Sequence, residues 1–509
     1  MTRGIAHGRR PGARLLPRLG AAVLAAVLVV GIAAGCSEDR GGDGTPASGA
    51  TTTSAPRGDE TQGQARVERA RAEGLRVLLA GDDVMAAAGP VVARRLEATG
   101  RATAEVDVEP GTGLASSLDW PARIAARVDE IQPTVVVVHF GGVDTAPYAT
   151  GPDGRPLDPG SGPWYDRWAQ QQATLVEALA GRGIALYWVA APPARDPALD
   201  TRVQMANLLS EGLHRGWPDW VAHVDARRGL VGPDGGFAET VAVPGGETLV
   251  LRDTDGYGLG PDGAARLATA VTDRLVAHWC LDGAPGCRPA FTSVLPLPSD
   301  TPAGPRVLLV GDSMMWQLVP AVAAVLESGG IHVHDDIRST TGLVGDFDWV
   351  GRVGALAEAW DPDVVVGLFT GDLRPGYADP TGQVVEMDSP RYFELTTGAA
   401  TTLTEQLVAR GTRVLWVAGP PAAGGPVAER MARFRELYES LAARFGEQVG
   451  VVDGMSPLLD RGEFALELPD ELGVAVAVRL PDAFHLTTAG AGRLAGAVVE
   501  AVRATGATG

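Results

Sequence analysis

The strongest constraint in this 509-residue chain is that most of it occurs twice. Arg76-Val77-Leu78-Leu79-Ala80-Gly81-Asp82-Asp83-Val84-Met85 returns as Arg306-Val307-Leu308-Leu309-Val310-Gly311-Asp312-Ser313-Met314-Met315. Thr112-Gly113-Leu114 with Asp119-Trp120 returns as Thr341-Gly342-Leu343 with Asp348-Trp349. Pro133 and the valine run to Phe140 return as Pro362 and the run to Phe369; Trp188 and Pro192-Pro193 return as Trp416 and Pro420-Pro421. Gly263-Ala264-Ala265-Arg266-Leu267-Ala268 matches Gly490-Ala491-Gly492-Arg493-Leu494-Ala495. The offset drifts only from 230 to 227 residues with the order kept. One unit of about 200 residues is therefore used two times. The copies span 75–280 and 305–503, and the Pro- and Ser-containing stretch 281–304 links them.

Inside each copy, short valine-rich runs alternate with stretches of helical spacing. In the second copy the runs are Val307–Val310, His332–Ile337, Val364–Phe369, Val414–Ala418 and Val451–Val452. Apolarity that is continuous rather than alternating suits central parallel strands covered on both faces. Between them, Val319–Leu326, Arg352–Ala359, Leu403–Val408 and Met431–Phe445 carry helix-like apolar spacing. This alternation predicts an α/β fold: two tandem three-layer α/β/α domains, each around a mainly parallel sheet of about five strands. Ligands of such sheets gather at the carboxyl ends of the strands.

A composition of 45% hydrophobic and 21% charged residues is globular and excludes a collagenous, coiled-coil or wholly disordered chain. The net charge of −19 leaves no cationic surplus to displace counterions, so no nucleic-acid partner is expected. The N-terminus stands apart. Arg3, Arg9, Arg10, Arg14 and Arg18 precede an uncharged run from Leu19 to Gly35, the pattern of an export signal. Ala33-Ala34-Gly35-Cys36 resembles the bacterial lipobox, with Ala33 where leucine is commoner. The resemblance implies removal of residues 1–35, acylation of Cys36 and a lipid anchor on the outer face of the bacterial cell membrane. An uncleaved signal anchor is the alternative, since 17 uncharged residues are near the short limit for a bilayer span. Removal takes the net charge from −19 to −24, because residues 1–35 hold five arginines and no acids. Residues 36–74, rich in Ser, Thr, Gly, Asp and Arg, read as a disordered tether. Cys280 and Cys287 remain, and outside the cytoplasm they are expected to close a small disulfide loop as a staple.

In the second copy, Gly311-Asp312-Ser313 follows a buried strand and opens a helix. That puts a serine hydroxyl at the strand's carboxyl end and its N–H at a helix N-terminus, ready to face an oxyanion. Near the chain's end, Asp482-Ala483-Phe484-His485 precedes a helix starting at Thr487. A carboxylate three residues before an imidazole can orient it, and the imidazole can act as base toward Ser313.

These blocks, in this order, resemble the SGNH (GDSL-type) hydrolase family. Ser313 within Gly-Asp-Ser matches its first block and Gly342 its second, an oxyanion glycine. Asp482 and His485 match its last, with Leu486-Thr487-Thr488-Ala489-Gly490 following. The resemblance covers the whole repeat. It implies a flavodoxin-like three-layer fold, a Ser313–His485–Asp482 triad, and an oxyanion hole from the N–H groups of Ser313 and Gly342. The third block departs: Phe369-Thr370-Gly371-Asp372 has Gly371 at the oxyanion position where the family's Asn donates its amide. Losing one such donor costs roughly 10²–10³ in turnover. Thr370 is the candidate substitute donor, and Asp372 reads as a turn or N-cap residue.

The first copy puts Asp83 at the serine position and Gly258 at the histidine position, while Asp255 and Gly113 keep the acid and glycine positions. Without nucleophile or base it is expected to be a degenerate, non-catalytic counterpart. No metal or organic cofactor is expected. Asp82, Asp83 and Asp255 lack further ligands at metal spacing, His332-Val333-His334-Asp335-Asp336 reads as a solvated strand end, and the glycine-rich stretches form no P-loop. The matched tryptophans read as core. The resemblance thus implies a serine esterase or O-acyl (acetyl) transferase acting on ester-bearing small molecules or O-acylated cell-envelope glycans. The alternative is a non-catalytic binding or scaffold lipoprotein with two degenerate copies.

Overall fold

The computed structural model describes residues 60–142, 149–151, 154–243, 246–284, 287, 297–298, 301–371, 376–379 and 381–506. The leader 1–35, Cys36 and Asp372 lie outside the described residues.

Each copy is built on one five-stranded parallel sheet. In the first, β1 (Leu75–Gly81), β2 (Ala102–Val108), β3 (Val135–His139), β4 (Ala185–Val189) and β5 (Val221–Val224) pair in the order β2-β1-β3-β4-β5. In the second, β6 (Arg306–Gly311), β7 (His332–Ile337), β8 (Val364–Leu368), β9 (Arg413–Ala418) and β10 (Val449–Asp453) repeat it as β7-β6-β8-β9-β10. The central strands β3 and β8 are buried along their whole length, which is why they read as unbroken apolar runs.

Helices cover both faces. A leading helix α1 (Glu60–Glu73) precedes the first copy, which carries α2 (Asp83–Ala98), α3 (Trp120–Ile131), α4 (Gly162–Ala180), α5 (Pro197–Glu211) and α6 (Pro261–Trp279). The second carries α7 (Ser313–Ser328), α8 (Trp349–Trp360), α9 (Pro390–Ala409), α10 (Gly425–Phe445) and α11 (Thr488–Ala504). In the second copy, α7 and α11 bury Met315, Val322, Leu494 and Val498 on one face, and α8 to α10 bury Trp349, Leu403, Phe434 and Tyr438 on the other. The caps repeat too. Asp82 and Asp312 accept from Val84 N–H and Met314 N–H, each at 3.1 Å, and Asp119 and Asp348 cap α3 and α8 in the same manner. Such caps are worth about 1 kcal/mol each. The matched tryptophans are core: Trp120, Phe140 and Trp188 pack edge-to-face and tilted in the first copy as Trp349, Phe369 and Trp416 do in the second.

The expected tether over 36–74 is corrected at its end, where 60–73 form α1. Val67 and Ala70 pack on the first core, and Arg66 donates to the carbonyls of Arg182 and Pro133 at 2.7 and 2.9 Å. Cys280 and Cys287 are disulfide-bonded with their Cα atoms 5.7 Å apart, and the first core runs on to Leu281. Among the described residues no helix is long and apolar enough to cross a membrane.

The copies pack directly on one another. Arg227 pairs with Asp225, donates to the Trp316 carbonyl at 2.8 Å, and lays its guanidinium 3.4 Å over the Trp316 ring. Arg228 bonds Glu327 and the Val333 carbonyl.

Candidate active site

The site grows from the carboxyl end of β6. Asp312 caps α7 with one carboxylate oxygen, and with the other accepts from Thr370 N–H at 2.5 Å, Thr370 Oγ1 at 2.9 Å and Gly371 N–H at 3.2 Å. This buried carboxylate ties the end of β6 to the end of β8. Burial pushes its pKa up to about 6, against those hydrogen bonds and the nearby His485.

Ser313, the first residue of α7, is half-buried, and its Oγ lies 2.9 Å from His485 Nε2. His485 Nδ1 lies 2.6 Å from Asp482 Oδ2, while Asp482 Oδ1 accepts from the N–H groups of Phe484 and His485, both at 3.0 Å. Burial alone would raise the Asp482 carboxyl, but His485 and those donors hold it below its ordinary value. A carboxylate kept ionised beside Nδ1 favours the tautomer that leaves Nε2 free to accept the serine proton.

Gln317 supports this arrangement and carries no motif. One turn along α7 from Ser313, it is buried and grips the histidine loop through both amide atoms. Nε2 donates to the Leu486 carbonyl at 2.6 Å, and Oε1 accepts from Leu486 N–H at 2.9 Å. The first copy has Ala87 there, a contrast visible only once the repeat is aligned.

The third block differs from expectation. The Thr370 hydroxyl donates to Asp312, so it is not a substitute oxyanion donor, and the Gly371 N–H is directed to the same carboxylate. The space of the family's Asn side chain is filled. Gly371 has a φ of +93°, and a Cβ there would meet Tyr392 Oη at 2.9 Å and Arg430 Cδ and Nη1 at 3.0 Å. Arg430, 4% exposed, is held by Asp388 through Nε and Nη2 at 2.5 and 2.7 Å. Nothing in the motif pattern marks Tyr392 or Arg430.

The first copy keeps the framework with Asp83 and Gly258 at the serine and histidine positions. Asp255 Oδ1 accepts from Tyr257 N–H and Gly258 N–H at 2.7 and 2.8 Å, the same loop that Asp482 makes, with Gly258 where His485 stands. The buried Tyr257 lays its hydroxyl against Gly141, the position matching Thr370, so closely that a Cβ there would run into it. Asp82 pairs with the fully buried His139 at 2.7 Å. Asp83, its pKa raised mainly by burial, accepts from Gly111 N–H at 2.8 Å.

That last contact bears on the second copy. Glu109 N–H bonds the Gly81 carbonyl as Arg338 N–H bonds that of Gly311, so Gly111 corresponds to Thr340 and Gly113 to Gly342. Both 111 and 340 are left-handed, with φ of +76° and +60°. Gly342 is buried two residues further along this loop. The loop N–H that reaches an anion at the nucleophile position in the first copy thus corresponds to that of Thr340. The 332–336 strand is solvated only at its start: His332 is exposed and contacts the Ala303 carbonyl, whereas His334 packs on Trp360 and Asp336 is buried against Arg352. Among the described residues no group of three or more His, Cys, Asp or Glu side chains is arranged to hold a metal ion.

Fold and site together define a duplicated three-layer α/β protein with one serine–histidine–aspartate constellation. The chain belongs to the family described as protein of unknown function (DUF459), which matches it over residues 76–274 and again over 306–501. Solved structures similar to it include a GDSL-like lipase from Bacteroides thetaiotaomicron VPI-5482, 17% identical over 41% of this chain and 92% of that one, TM-score 0.27. A catalytic mutant of an acetylxylan esterase from Geobacillus stearothermophilus is 13% identical over 40% of this chain and 95% of its own, TM-score 0.28. The esterase EstA from Pseudoalteromonas sp. is 12% identical over 39% and 97%, TM-score 0.26. No curated protein matches the chain.

Proposed function

We propose that the second copy is an SGNH-type serine esterase or O-acyl transferase. The observation that carries this reading is the relay from Ser313 Oγ through His485 to Asp482, at 2.9 and 2.6 Å. Ser313 Oγ attacks the ester carbonyl carbon as its proton passes to His485 Nε2. The carbonyl oxygen becomes an oxyanion facing the Ser313 N–H at the start of α7 and the loop after β7, where Thr340 rather than Gly342 supplies the donor. His485 then gives its proton to the departing alkoxide, leaving an acyl-serine. Water completes hydrolysis by the same route, and an acceptor hydroxyl in its place completes acyl transfer. The substrate class is O-acyl esters, above all acetylated glycans of the cell envelope, reached from a lipid anchor at Cys36 on the outer membrane face.

A second reading, a binding or scaffold lipoprotein, is favoured by the filled Asn space at Gly371. A serine-directed fluorophosphonate separates the two. Labelling of wild type that disappears in Ser313→Ala supports the enzyme. A folded wild type that neither labels nor releases acetate from p-nitrophenyl acetate overturns it and supports the binding protein.

A further inference from the structure

One acid of the degenerate copy reaches the working end of the other. Glu211, the last residue of α5, is 3% exposed, and its Oε1 accepts from Ser339 N–H at 3.1 Å. Ser339, 1% exposed, directly precedes Thr340 on the loop after β7. In the first copy the matching residue is Pro110, which has no N–H to satisfy. The acceptor is required only in the copy that holds the serine.

The loop it grips is strained at the neighbouring position. Thr340 has a φ of +60°, where a β-branched residue is an outlier, and such conformations persist only when the surroundings over-determine them. On the far side, the Thr341 hydroxyl donates to the Arg338 carbonyl at 2.7 Å and accepts from Trp349 Nε1–H at 3.1 Å. On the near side, Glu211 holds Ser339. The residue so clamped is the one whose first-copy counterpart, Gly111, points its N–H at the Asp83 carboxylate.

We propose that Glu211 is a positioning residue for the second copy's site, holding the 338–342 loop so that the Thr340 N–H faces the oxyanion formed at Ser313. The inference rests on the esterase reading. It gives the copy without a nucleophile a role: it supplies a buried acceptor to the anion hole of its sister. Burial pushes the Glu211 carboxyl up to about 8, against Ser339 N–H, Arg338 and Arg227. Acids kept buried at such a cost concentrate at functional positions.

Full-length Glu211→Leu and Glu211→Gln test it through p-nitrophenyl acetate hydrolysis, fluorophosphonate labelling rate and active-site titration. Glu211→Leu, lacking an acceptor, is expected to lower kcat and labelling rate about 10- to 100-fold. KM should stay within about twofold, because oxyanion contacts act in the transition state. Glu211→Gln, whose amide oxygen still accepts from Ser339, should keep kcat within about threefold. If Glu211→Leu does not fold, Glu211→Met carries the same expectation. Loss of titratable sites with unchanged kcat per site marks a merely structural residue and overturns the inference. An active wild type whose kcat is unmoved by either change also overturns it, leaving the esterase reading intact. A folded wild type that neither hydrolyses nor labels overturns that reading, and the inference with it.

Discussion

The two copies share strand order, helix caps and the aspartate loop before the last helix, yet only one assembles a relay. The differences include four matched positions: Asp83 against Ser313, Ala87 against Gln317, Tyr257 against Phe484, and Gly258 against His485. Asp255 makes its two backbone hydrogen bonds without any histidine to orient, as Asp482 does with one. The carboxylate in this loop is therefore first a structural device, and in the second copy the same carboxylate also holds an imidazole. Asp83 teaches something further. Sitting where the nucleophile would be, it offers the loop N–H a resident carboxylate oxygen, in the place where the proposed reaction of the second copy would form an oxyanion.

The comparison breaks most visibly if first-copy residues can be installed in the second without the expected effect. Ser313→Asp should abolish ester hydrolysis, a loss of about 10⁴-fold or more, since no hydroxyl remains to be acylated. It should not lower Tm, because a carboxylate at a helix N-terminus is favourable and Thr340 N–H is expected to receive it as Gly111 receives Asp83. A fall of many degrees in a melting experiment would mean the two loops are not equivalent, and the Thr340 assignment would go with it.

Gln317→Ala copies Ala87 and removes both bonds to Leu486. The histidine loop then has one fewer tie to the helix that carries Ser313. Because a small misplacement of a catalytic group is costly, kcat should drop about tenfold or more while Ser313 still labels. Unchanged kcat would show that the bonds of Asp482 to Phe484 and His485 locate the imidazole without Gln317.

Much of this architecture was legible in the sequence for a simple reason. Parallel strands buried on both faces must be continuous apolar runs, and a duplicated fold prints each run twice. That Ser313, Asp482 and His485 come together was legible because the proposed relay needs those side chains near fixed strand and helix ends. What was not legible acts across long separations. Arg430 reaches Gly371 from α10, Glu211 crosses from one copy to the other, and Gln317 is an ordinary polar residue until its two bonds are seen. α1 is not legible because, among its described residues, its polar sequence offers Val67 and Ala70 to the core and relies on Arg66 bonding distant carbonyls.

The smallest expected effect concerns the seam between the copies, and its sign follows from proton linkage. Burial raises the pKa of Glu211 to about 8 in the folded protein, against the lowering pull of Ser339 N–H, Arg338 and Arg227 and with a small addition from Asp225. An unfolded glutamate titrates near about 4.3. Between these values the folded state keeps a proton that the unfolded chain has lost, so this residue makes stability fall as pH rises through that window. Glu211→Gln removes the titration while keeping an acceptor for Ser339. The Tm of the variant minus that of wild type should therefore increase from pH 5 to pH 8, by about 2–4 °C for each kcal/mol involved, and level off above. A difference that stays constant across the range would mean the carboxyl is not held as a buried acid, and that solvent reaches the seam beside Ser339.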